Sequence, residues 1–314
     1  MRDRDHIEDI LARCSEALGE PLDRETLRPP EPEGAASYVA DAGTTLYVVG
    51  TVSRRGFCLS LSNPLFPHAA DCAARQAERA RALVGDRLGG AVCTAILTER
   101  HGIQSFALYP QLGGYSQNRG VRWIQKRSVS RSAITWLTDA FAATASEVED
   151  DDARDAAFLR PLRRLAEERG PDETVSRSAL ALEGAMRRGE IRAFSGLQHG
   201  DFWLGNVLPT GRPTMRRSGP DWGFAIIDWR GARVAGHPAI DALRFSMSGF
   251  GQGRAAASRL RRYGAKTGLT DRECAASCLC AMGWLADNLD QFPRPRFHAG
   301  ATKAAQFLVR NEFV

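Results

Sequence analysis

The sequence predicts an α+β fold of two lobes, in which a small antiparallel β lobe with one helix precedes a larger, mostly helical lobe. Between residues 37 and 110, short runs of β-forming residues alternate with turn residues, and one stretch has helix-forming composition. Gln111-Leu112-Gly113-Gly114 then form a natural hinge, because paired glycines tolerate backbone conformations that strain other residues. After this hinge the long stretches are helix-forming. The 314 residues suffice for two lobes with sizeable cores.

Residues 1–36 are predicted to form a leading helix and a linker. From Asp5 to Leu18 the apolar residues recur at helical spacing. Pro29, Pro30 and Pro32 then stop any helix, because proline lacks the backbone N–H that a helix needs. We therefore expect the small lobe to span residues 37–112.

The small lobe is predicted to contain a β meander, one helix and two further strands. Each strand-like run is bounded by turn residues, which is typical of antiparallel sheets. The run rich in alanine, arginine and glutamate favours a helix. In chain order the predicted strands are Ser37–Gly43, Thr44–Val52, Phe57–Ser62, Ala91–Arg100 and Gln104–Pro110, and the predicted helix is Ala69–Leu88.

The large lobe, residues 113–314, is predicted to be mostly helical and to hold the substrate. Its first helices are expected at Arg122–Ala145, Asp155–Glu168 and Thr174–Arg188. The acidic run Glu147–Asp152 lies between the first two helices. We interpret it as a solvated loop, because neighbouring like charges repel one another and need water.

Composition and terminal sequence argue against export and membrane insertion. With 43% hydrophobic and 25% charged residues, the chain has the composition of an ordinary globular protein. The N-terminus lacks the apolar segment of a signal peptide, and no apolar stretch reaches the ~20 residues that cross a bilayer. We therefore expect a cytoplasmic protein without a membrane partner.

Charge and cysteine content argue against a nucleic-acid partner and a metal cluster. The formal net charge of +5 comes from arginines that form no dense basic run. The seven cysteines are scattered, and Cys274, Cys278 and Cys280 have no second cluster at zinc-ligand spacing. We interpret the cysteines as reduced residues of the core or of helix faces.

Two segments in the second half of the chain carry candidate catalytic residues. Gly196–Pro209 reads GLQHGDFWLGNVLP and supplies His199, Asp201 and Asn206 in the pattern H-x-D-x-x-x-x-N. The second segment, FAIIDWRG, ends an apolar strand-like run at Asp228. Phosphoryl transfer from a nucleotide requires an acceptor hydroxyl held in line and metal ions that neutralise the phosphates. A carboxylate beside the acceptor and oxygen ligands for Mg²⁺ meet these needs.

Each of these four residues has an expected role. Asp201 accepts the proton of the acceptor hydroxyl, or orients that hydroxyl. Asn206 offers a neutral carbonyl oxygen to Mg²⁺, and Asp228 offers the charged ligand. His199 organises the loop through a hydrogen bond to the backbone near Asp228. An unrelated loop histidine and turn aspartate are the alternative, which the following IIDW in the correct order disfavours.

The sequence resembles the aminoglycoside phosphotransferase and choline kinase family of the protein-kinase-like fold. The resemblance rests on HGDFWLGN, IIDW and GHPAIDALRF, and on the order of elements from about Ser37 to the end. It implies a Mg²⁺-dependent kinase that uses ATP or GTP and phosphorylates a small hydroxylated substrate. It also implies that Asp241 braces the large lobe.

The resemblance further implies a nucleotide site in the small lobe. Glu78 stands where the small-lobe helix of the family carries a glutamate, and backbone groups of Tyr109, Gln111 and Leu112 stand where adenine is held. Ser60 stands where the family presents the lysine that binds the phosphates. The three lysines of the chain all lie beyond the hinge, at Lys126, Lys266 and Lys303.

The missing lysine leaves two functions open. The intact catalytic and metal residues favour an active kinase. Ser60 favours a pseudokinase-like nucleotide-binding or regulatory protein. Arg54 or Arg55 is a candidate replacement cation, although the rigid guanidinium fork differs from a compact ammonium. A nucleotidyl transfer by the same lobes is a minor third alternative.

The charge of the C-terminal region predicts the class of acceptor. From Arg230 to Val314 there are 13 Lys and Arg against 6 Asp and Glu. Kinases of polycationic aminoglycosides need acidic pockets, because opposite charges steer and retain such ligands. We therefore expect a neutral or anionic acceptor, such as a sugar, a sugar derivative or a carboxylate-bearing metabolite.

Overall fold

A computed structural model of the protein describes residues 2–29, 43–210, 222–248, 253–289 and 292–314. An antiparallel sheet and two helices form its N-terminal part, and helices with short strands form the rest. The N-terminal elements are, in chain order, α1 (Arg2–Leu18), β1 (Leu22–Arg28), β2 (Thr44–Thr51), β3 (Gly56–Ser62), α2 (Ala69–Gly89), β4 (Leu97–His101) and β5 (Gln104–Pro110).

The N-terminal sheet has the strand order β1-β2-β3-β5-β4, with every neighbouring pair antiparallel. Strand β1 lies where the sequence predicts a linker, and Leu22 pairs with Thr51 of β2. Only Leu22 and Leu27 of β1 pack against the apolar core, because an edge strand keeps polar and charged residues. Because most of its residues are polar, the sequence pattern does not predict β1 as a strand. The predicted strand at 37–43 falls outside the described residues except for Gly43.

The two faces of β3 contact different helices. Phe57, Leu59 and Leu61 pack in one apolar cluster with residues of α1. The alternate residues face α2, because the Ser62 hydroxyl accepts the N–H of Ala70 at 2.9 Å near the start of that helix. Ser60, two residues before Ser62, therefore lies on the α2 face.

Helices dominate the C-terminal part, and the three helices expected first are confirmed to within a few residues at most ends. The elements in chain order are α3 (Arg119–Thr144), β6 (Ser146–Glu147), α4 (Asp151–Arg154), a π-helical turn (Asp155–Leu159), α5 (Arg160–Glu167), α6 (Glu173–Arg187), β7 (Phe194–Gln198), a 3₁₀ turn (Leu204–Asn206), β8 (Val207–Pro209), β9 (Phe224–Ile226), a 3₁₀ turn (Trp229–Gly231), β10 (Arg233–Gly236), α7 (Ala239–Ser248), α8 (Arg254–Thr267), α9 (Asp271–Asp287) and α10 (Arg294–Arg310).

Hydrogen bonds and an aromatic cluster join the two parts of the protein. The N–H of Ile226 in β9 donates to the carbonyl of Ala91 after α2, at 2.7 Å. Trp136 of α3 donates its indole N–H to the carbonyl of Leu88 at 3.0 Å and stacks on Phe202 at 6.0 Å between ring centroids. The end of α2 is therefore fixed to the segments that carry the candidate catalytic residues.

The structure also bears on the cysteines, on the acidic run and on membrane insertion. All seven cysteines are unpaired, and Cys274, Cys278 and Cys280 are buried on α9. In the acidic run, Asp150 accepts the N–H of Ala153 and caps α4, so the run ends in a helix start instead of a loop. Among the described helices, none combines the length and the apolar character that a bilayer span requires.

Candidate active site

The buried carboxylate of Asp241 holds the backbone of the loop between β7 and β8. Asp241, in the first turn of α7, accepts the N–H of His199 at 2.6 Å and the N–H of Gly200 at 2.9 Å. Gly200 has a φ of 85°, and a Cβ at this position would lie 2.7 Å from the carbonyl oxygen of Gly231. Only glycine therefore fits, because a side chain would be strained and would meet backbone.

The imidazole of His199 fixes the loop against the segment that precedes Asp228. Its Nε2 donates to the carbonyl of Ile227 at 2.9 Å, and its Nδ1 accepts the N–H of Asp201 at 3.2 Å. This pairing requires the neutral ring with the proton on Nε2. Burial lowers the pKa of His199 to about 4, so the ring stays neutral near pH 7. The geometry suits a residue that positions the loop.

Asp201 presents an exposed carboxylate whose two oxygens each accept a hydrogen bond. Oδ1 accepts from Nη1 of Arg244 at 2.8 Å, and Oδ2 accepts from Nδ2 of Asn206 at 3.0 Å. Nδ2 of Asn206 also donates to the backbone carbonyl of Asp201 at 2.9 Å. Because the amide nitrogen is used in this way, the amide oxygen is the atom of Asn206 that is available to a cation.

Sequence reasoning missed Arg244, although the motif GHPAIDALRF contains it. It follows Asp241 by three residues on α7, and residues at this spacing share one helix face. Since Asp241 holds the backbone of the loop, Arg244 lies one turn further along the same face and reaches Asp201. The three-residue spacing of Asp241 and Arg244 on a helix-forming segment could have identified Arg244 from the sequence.

Asp228 follows β9 in an uncommon backbone conformation. Its φ is 61° and its ψ is 60°, in the left-handed region that residues other than glycine seldom adopt. Asp228 is exposed as a residue, yet the surrounding protein desolvates its carboxylate. Desolvation, with a smaller contribution from the charge of Asp201, raises the pKa of Asp228 to about 6, although Arg230 opposes the shift. Such strain and perturbed pKa are typical of functional sites.

Asn206 and Asp228 are held close together and fit a Mg²⁺–nucleotide complex. The N–H of Ile227, next to Asp228, donates to the backbone carbonyl of Asn206 at 3.0 Å. Among the described residues, no group of three or more His, Cys, Asp or Glu could hold a metal alone. Mg²⁺ commonly binds through one or two protein oxygens together with phosphates and water. The available amide and carboxylate oxygens are therefore a sufficient donor set for a metal brought by a nucleotide.

The small-lobe candidates Ser60, Glu78 and Tyr109 provide no cation. Ser60 is buried on β3 opposite Ala107 of β5, and Glu78 is exposed on α2. Tyr109 of β5 lies opposite Cys58. Burial raises the pKa of its phenol, and the charges of Asp228 and Glu78 are among the smaller contributions. A neutral phenol therefore lies within electrostatic range of both acidic side chains.

The backbone groups of the hinge point to two sides of the chain. The N–H of Gln111 donates to the carbonyl of Gly56 at 3.0 Å and so belongs to the sheet. Backbone groups alternate in direction along an extended chain. The carbonyl of Pro110 and the N–H of Leu112 consequently point away from β3, as does the carbonyl of Leu108, which accepts the N–H of Ile96 at 2.7 Å on that side.

The turn between β2 and β3 does not supply the missing cation. This turn is at the hinge end of the sheet, since Gly56 pairs with Gly50 and bonds Gln111. Arg55 there forms an ion pair with Glu20 at 2.8 Å. The geometry therefore does not support Arg54 or Arg55 as the replacement for the missing lysine.

Comparisons with known proteins identify the family and the fold of the chain. Residues 37–277 match the sequence model of the phosphotransferase enzyme family, APH. No curated protein sequence matches the chain. A candidate fructosamine-3-kinase from Thermobifida fusca is similar in structure, with 16% identity, a TM-score of 0.56, and coverage of 96% of this chain and 98% of that one.

Two phosphotransferases of antibiotics are also similar in structure. A thermostable mutant of an aminoglycoside phosphotransferase, in ternary complex with AMP-PNP and hygromycin B, has 14% identity and a TM-score of 0.57, and 96% of this chain and 98% of that chain are covered. A macrolide 2'-phosphotransferase from Brachybacterium faecium has 16% identity and a TM-score of 0.54, with 96% and 97% covered. These likenesses confirm the predicted protein-kinase-like α+β fold. Because the family match extends over most of its length, the chain belongs to the APH phosphotransferase enzyme family.

Proposed function

We propose that the protein transfers the γ-phosphoryl group of ATP or GTP to a hydroxyl of a small neutral or anionic metabolite or sugar. The observation that carries this proposal is the hydrogen-bonded unit that joins Asp201 to Asn206 and Asn206 to the backbone beside Asp228. It combines an acceptor-facing carboxylate with two metal ligands. Family membership supports the reaction type, and the AMP-PNP in one similar structure supports the nucleotide.

In this mechanism Asp201 receives the proton. Each oxygen of the Asp201 carboxylate accepts one hydrogen bond, from Arg244 or from Asn206, and keeps a free lone pair. The acceptor hydroxyl donates its hydrogen bond to one of these free lone pairs. As the hydroxyl oxygen bonds to the γ-phosphorus, the bond from that phosphorus to the β–γ bridging oxygen breaks, and the nucleoside diphosphate leaves. Mg²⁺, held by Asn206 and Asp228, supplies charge neutralisation on the phosphates when it is bound.

Arg244 takes over part of the cationic role in this proposal. Its guanidinium has five N–H donors, of which one bonds Asp201. Since Asp201 faces the acceptor, the remaining donors lie beside the position of the transferring phosphoryl group. Electrostatic stabilisation of that group is the main requirement of phosphoryl transfer. Arg244 thereby offsets the absence of a lysine at Ser60.

A pseudokinase-like role is the second candidate, and the small lobe favours it. Ser60 carries no charge, and Glu78 makes no ion pair with any residue of the described ranges. A protein of this kind binds nucleotide without turnover.

The two candidates differ in product formation. Purified protein is incubated with ATP or GTP, with Mg²⁺ or with EDTA, and with a panel of sugars, sugar derivatives, carboxylate-bearing metabolites, amino alcohols and aminoglycosides. A kinase yields a Mg²⁺-dependent product one phosphoryl group heavier than one neutral or anionic acceptor, with weak or no activity on kanamycin-like compounds. Mg²⁺-dependent nucleotide binding without any product favours the second candidate. A nucleotidylated product contradicts both.

A further inference from the structure

A groove between α3 and α8 concentrates positive charge outside the catalytic site. Arg127 and Arg131 line it from α3, and Arg259, Arg262 and Lys266 line it from α8. Residues three or four apart share a helix face, so each set projects from one face of its helix. The groove encloses about 540 Å³, which is within the range of small-molecule sites, roughly 300–1,000 Å³.

Acidic side chains do not balance this charge. None of the described residues that line the groove is Asp or Glu. Arg127, Arg131, Arg262 and Lys266 form no ion pair within the described ranges, whereas Arg261, next to Arg262, bonds Asp271 at 2.9 Å. Like charges at this spacing on a helix repel each other. This repulsion is small for each pair, and a bound anion would relieve it.

The groove also offers a hydroxyl group and an aromatic ring. The hydroxyl of Ser130 lines the groove, is buried, and has no hydrogen-bond partner among the described residues. Buried polar groups without partners are uncommon in folded proteins, so this one indicates a missing acceptor or donor. The ring of Trp123 is 49% exposed, and the guanidinium of Arg127 lies 5.3 Å from its centroid. Nη2 of Arg259 donates to the carbonyl of Ser246 at 2.6 Å, which fixes one wall to α7.

We propose that this groove binds a small molecule with at least two negative charges, carried as phosphate or carboxylate groups on an apolar or aromatic body. Guanidinium groups bind both kinds of anion through two parallel hydrogen bonds. The exposed part of the Trp123 side chain provides an apolar contact for this body. The groove shares no lining residue with the catalytic site, so this inference stands without the proposed function.

Calorimetric titration of the full chain with pyrophosphate and, separately, with citrate in metal-free buffer tests the proposal. The two probes distinguish a phosphate ligand from a carboxylate ligand. Removing two charge-assisted contacts in the double variant Arg131→Gln/Arg262→Gln raises the Kd of the bound probe at least about tenfold. The matched control is Arg261→Gln, which removes an adjacent arginine that already has a carboxylate partner. It leaves the Kd within about twofold, since its charge is already neutralised.

A second comparison separates the groove from the nucleotide site. Arg244→Gln retains pyrophosphate binding if the groove is the site, because Arg244, the cation proposed to contact the phosphates at the nucleotide site, does not line the groove; loss of binding in this variant overturns the proposal. The proposal is overturned if the double variant binds both probes like the wild type, or if Arg261→Gln weakens binding as much as the double variant does. It is also overturned if the wild type binds neither probe at about 1 mM, the weak end of specific affinity.

Discussion

Asp201 and Arg244 form an ion pair, in which the proposed function assigns Asp201 to the acceptor and Arg244 to the phosphoryl group. The two residues are 43 positions apart in sequence, and the 2.8 Å contact exists because α7 carries both Arg244 and the Asp241 that holds the loop. If Arg244 contacts the γ-phosphate, it distinguishes triphosphate from diphosphate. A purely structural role does not.

Arg244→Gln is therefore expected to weaken binding of Mg²⁺–AMP-PNP and to leave Mg²⁺–ADP binding within a few-fold. The loss of one hydrogen bond between charged groups, about 1.5–3 kcal/mol, corresponds to roughly 10- to 100-fold in Kd. Calorimetry with both nucleotides measures the difference, and Arg261→Gln on α8 is the matched control. Equal weakening for ADP and AMP-PNP would assign Arg244 a structural role only.

His237 is a buried histidine whose side-chain nitrogens have no hydrogen-bond partner among the described residues. Burial, with a smaller contribution from the charge of Arg233, lowers the pKa of this imidazole from 6.5 to about 3. Above pH 6.5, the pKa in the unfolded state, His237 is neutral in both states and the protein keeps its full stability. As pH falls from 6.5 towards 3, the unfolded state binds a proton that the folded state does not bind, so the free energy of unfolding falls. The ring packs edge-on against Phe158 at 4.8 Å between centroids.

Replacing His237 by leucine removes this titration. Between pH 8 and pH 5 the free energy of unfolding of the wild type should fall by about 2 kcal/mol more than that of His237→Leu. Urea unfolding of both proteins at the two pH values measures the difference, and His237→Gln provides a polar variant if leucine packs poorly. The same pH dependence in wild type and variants would mean that His237 does not titrate over this range.

Sequence reasoning anticipated some residue contacts and missed others for physical reasons. The bond from His199 to the backbone beside Asp228 was anticipated, because the two motifs lie at fixed positions in the expected fold. Arg244 was missed, because its contact depends on how α7 packs against the loop. The use of the Gln111 N–H by Gly56 was also missed, since it depends on strand register and not on residue type.

At the scale of elements, the turn at Gly200 sets the position of the candidate catalytic loop, which is the loop between β7 and β8. Gly200→Ala should destabilise the protein by about 1–2 kcal/mol, because a side chain at positive φ is strained. The contact with the carbonyl of Gly231, 2.7 Å from the new Cβ, should add to this cost. Gly189→Ala is the matched control, since Gly189 has a φ of 73° and nothing within 4 Å of its Cβ position.

Urea unfolding of both variants separates strain from contact. The difference between Gly200→Ala and Gly189→Ala reports the contact with Gly231, and phosphoryl transfer should fall only in Gly200→Ala. Equal free energies of unfolding for the two variants would mean that the loop relaxes freely, and that Gly200 does not set its position.

Strand β3 offers a test of the missing lysine. Ser60 faces α2, the helix of Glu78, so Ser60→Lys places an ammonium near Glu78 and near the phosphates. Opposite charges attract strongly where water is partly excluded. We expect tighter binding of Mg²⁺–AMP-PNP by calorimetry, with some loss of stability from the larger side chain at a buried position. Ser60→Met is the control for size without charge, and tightening by both variants, or by neither, would contradict the role of charge at this position.

The helices of the protein were easier to predict than its first strand. The predicted helix Ala69–Leu88 and the observed helix Ala69–Gly89 agree, because a long run of helix-forming residues predicts a helix without knowledge of its tertiary contacts. Strand β1 was missed because LDRETLR has two leucines among polar residues, and its place is set by pairing with β2. Edge strands of this kind have no local pattern that separates them from a linker.

At the scale of the whole molecule, an aromatic cluster holds the two candidate catalytic segments in fixed relative positions. Trp136 contacts Phe202 of the catalytic loop and Trp229 of the turn after Asp228, at 6.0 and 6.3 Å between ring centroids. The candidate base and the candidate metal ligand therefore share a single buried support. A reaction that needs both residues in fixed relative positions can rely on such a frame.

The measurement that tests the central claim most directly compares Asp201→Ala and Asp228→Ala with the wild type in two assays. One assay follows Mg²⁺-dependent formation of phosphorylated acceptor, and the other follows binding of Mg²⁺–AMP-PNP by calorimetry. We predict that Asp201→Ala abolishes transfer and leaves nucleotide affinity within a few-fold, because this carboxylate faces the acceptor. We predict that Asp228→Ala abolishes transfer and Mg²⁺-dependent nucleotide binding together. Wild-type kcat in Asp201→Ala, or unchanged Mg²⁺–AMP-PNP affinity in Asp228→Ala, would contradict the account.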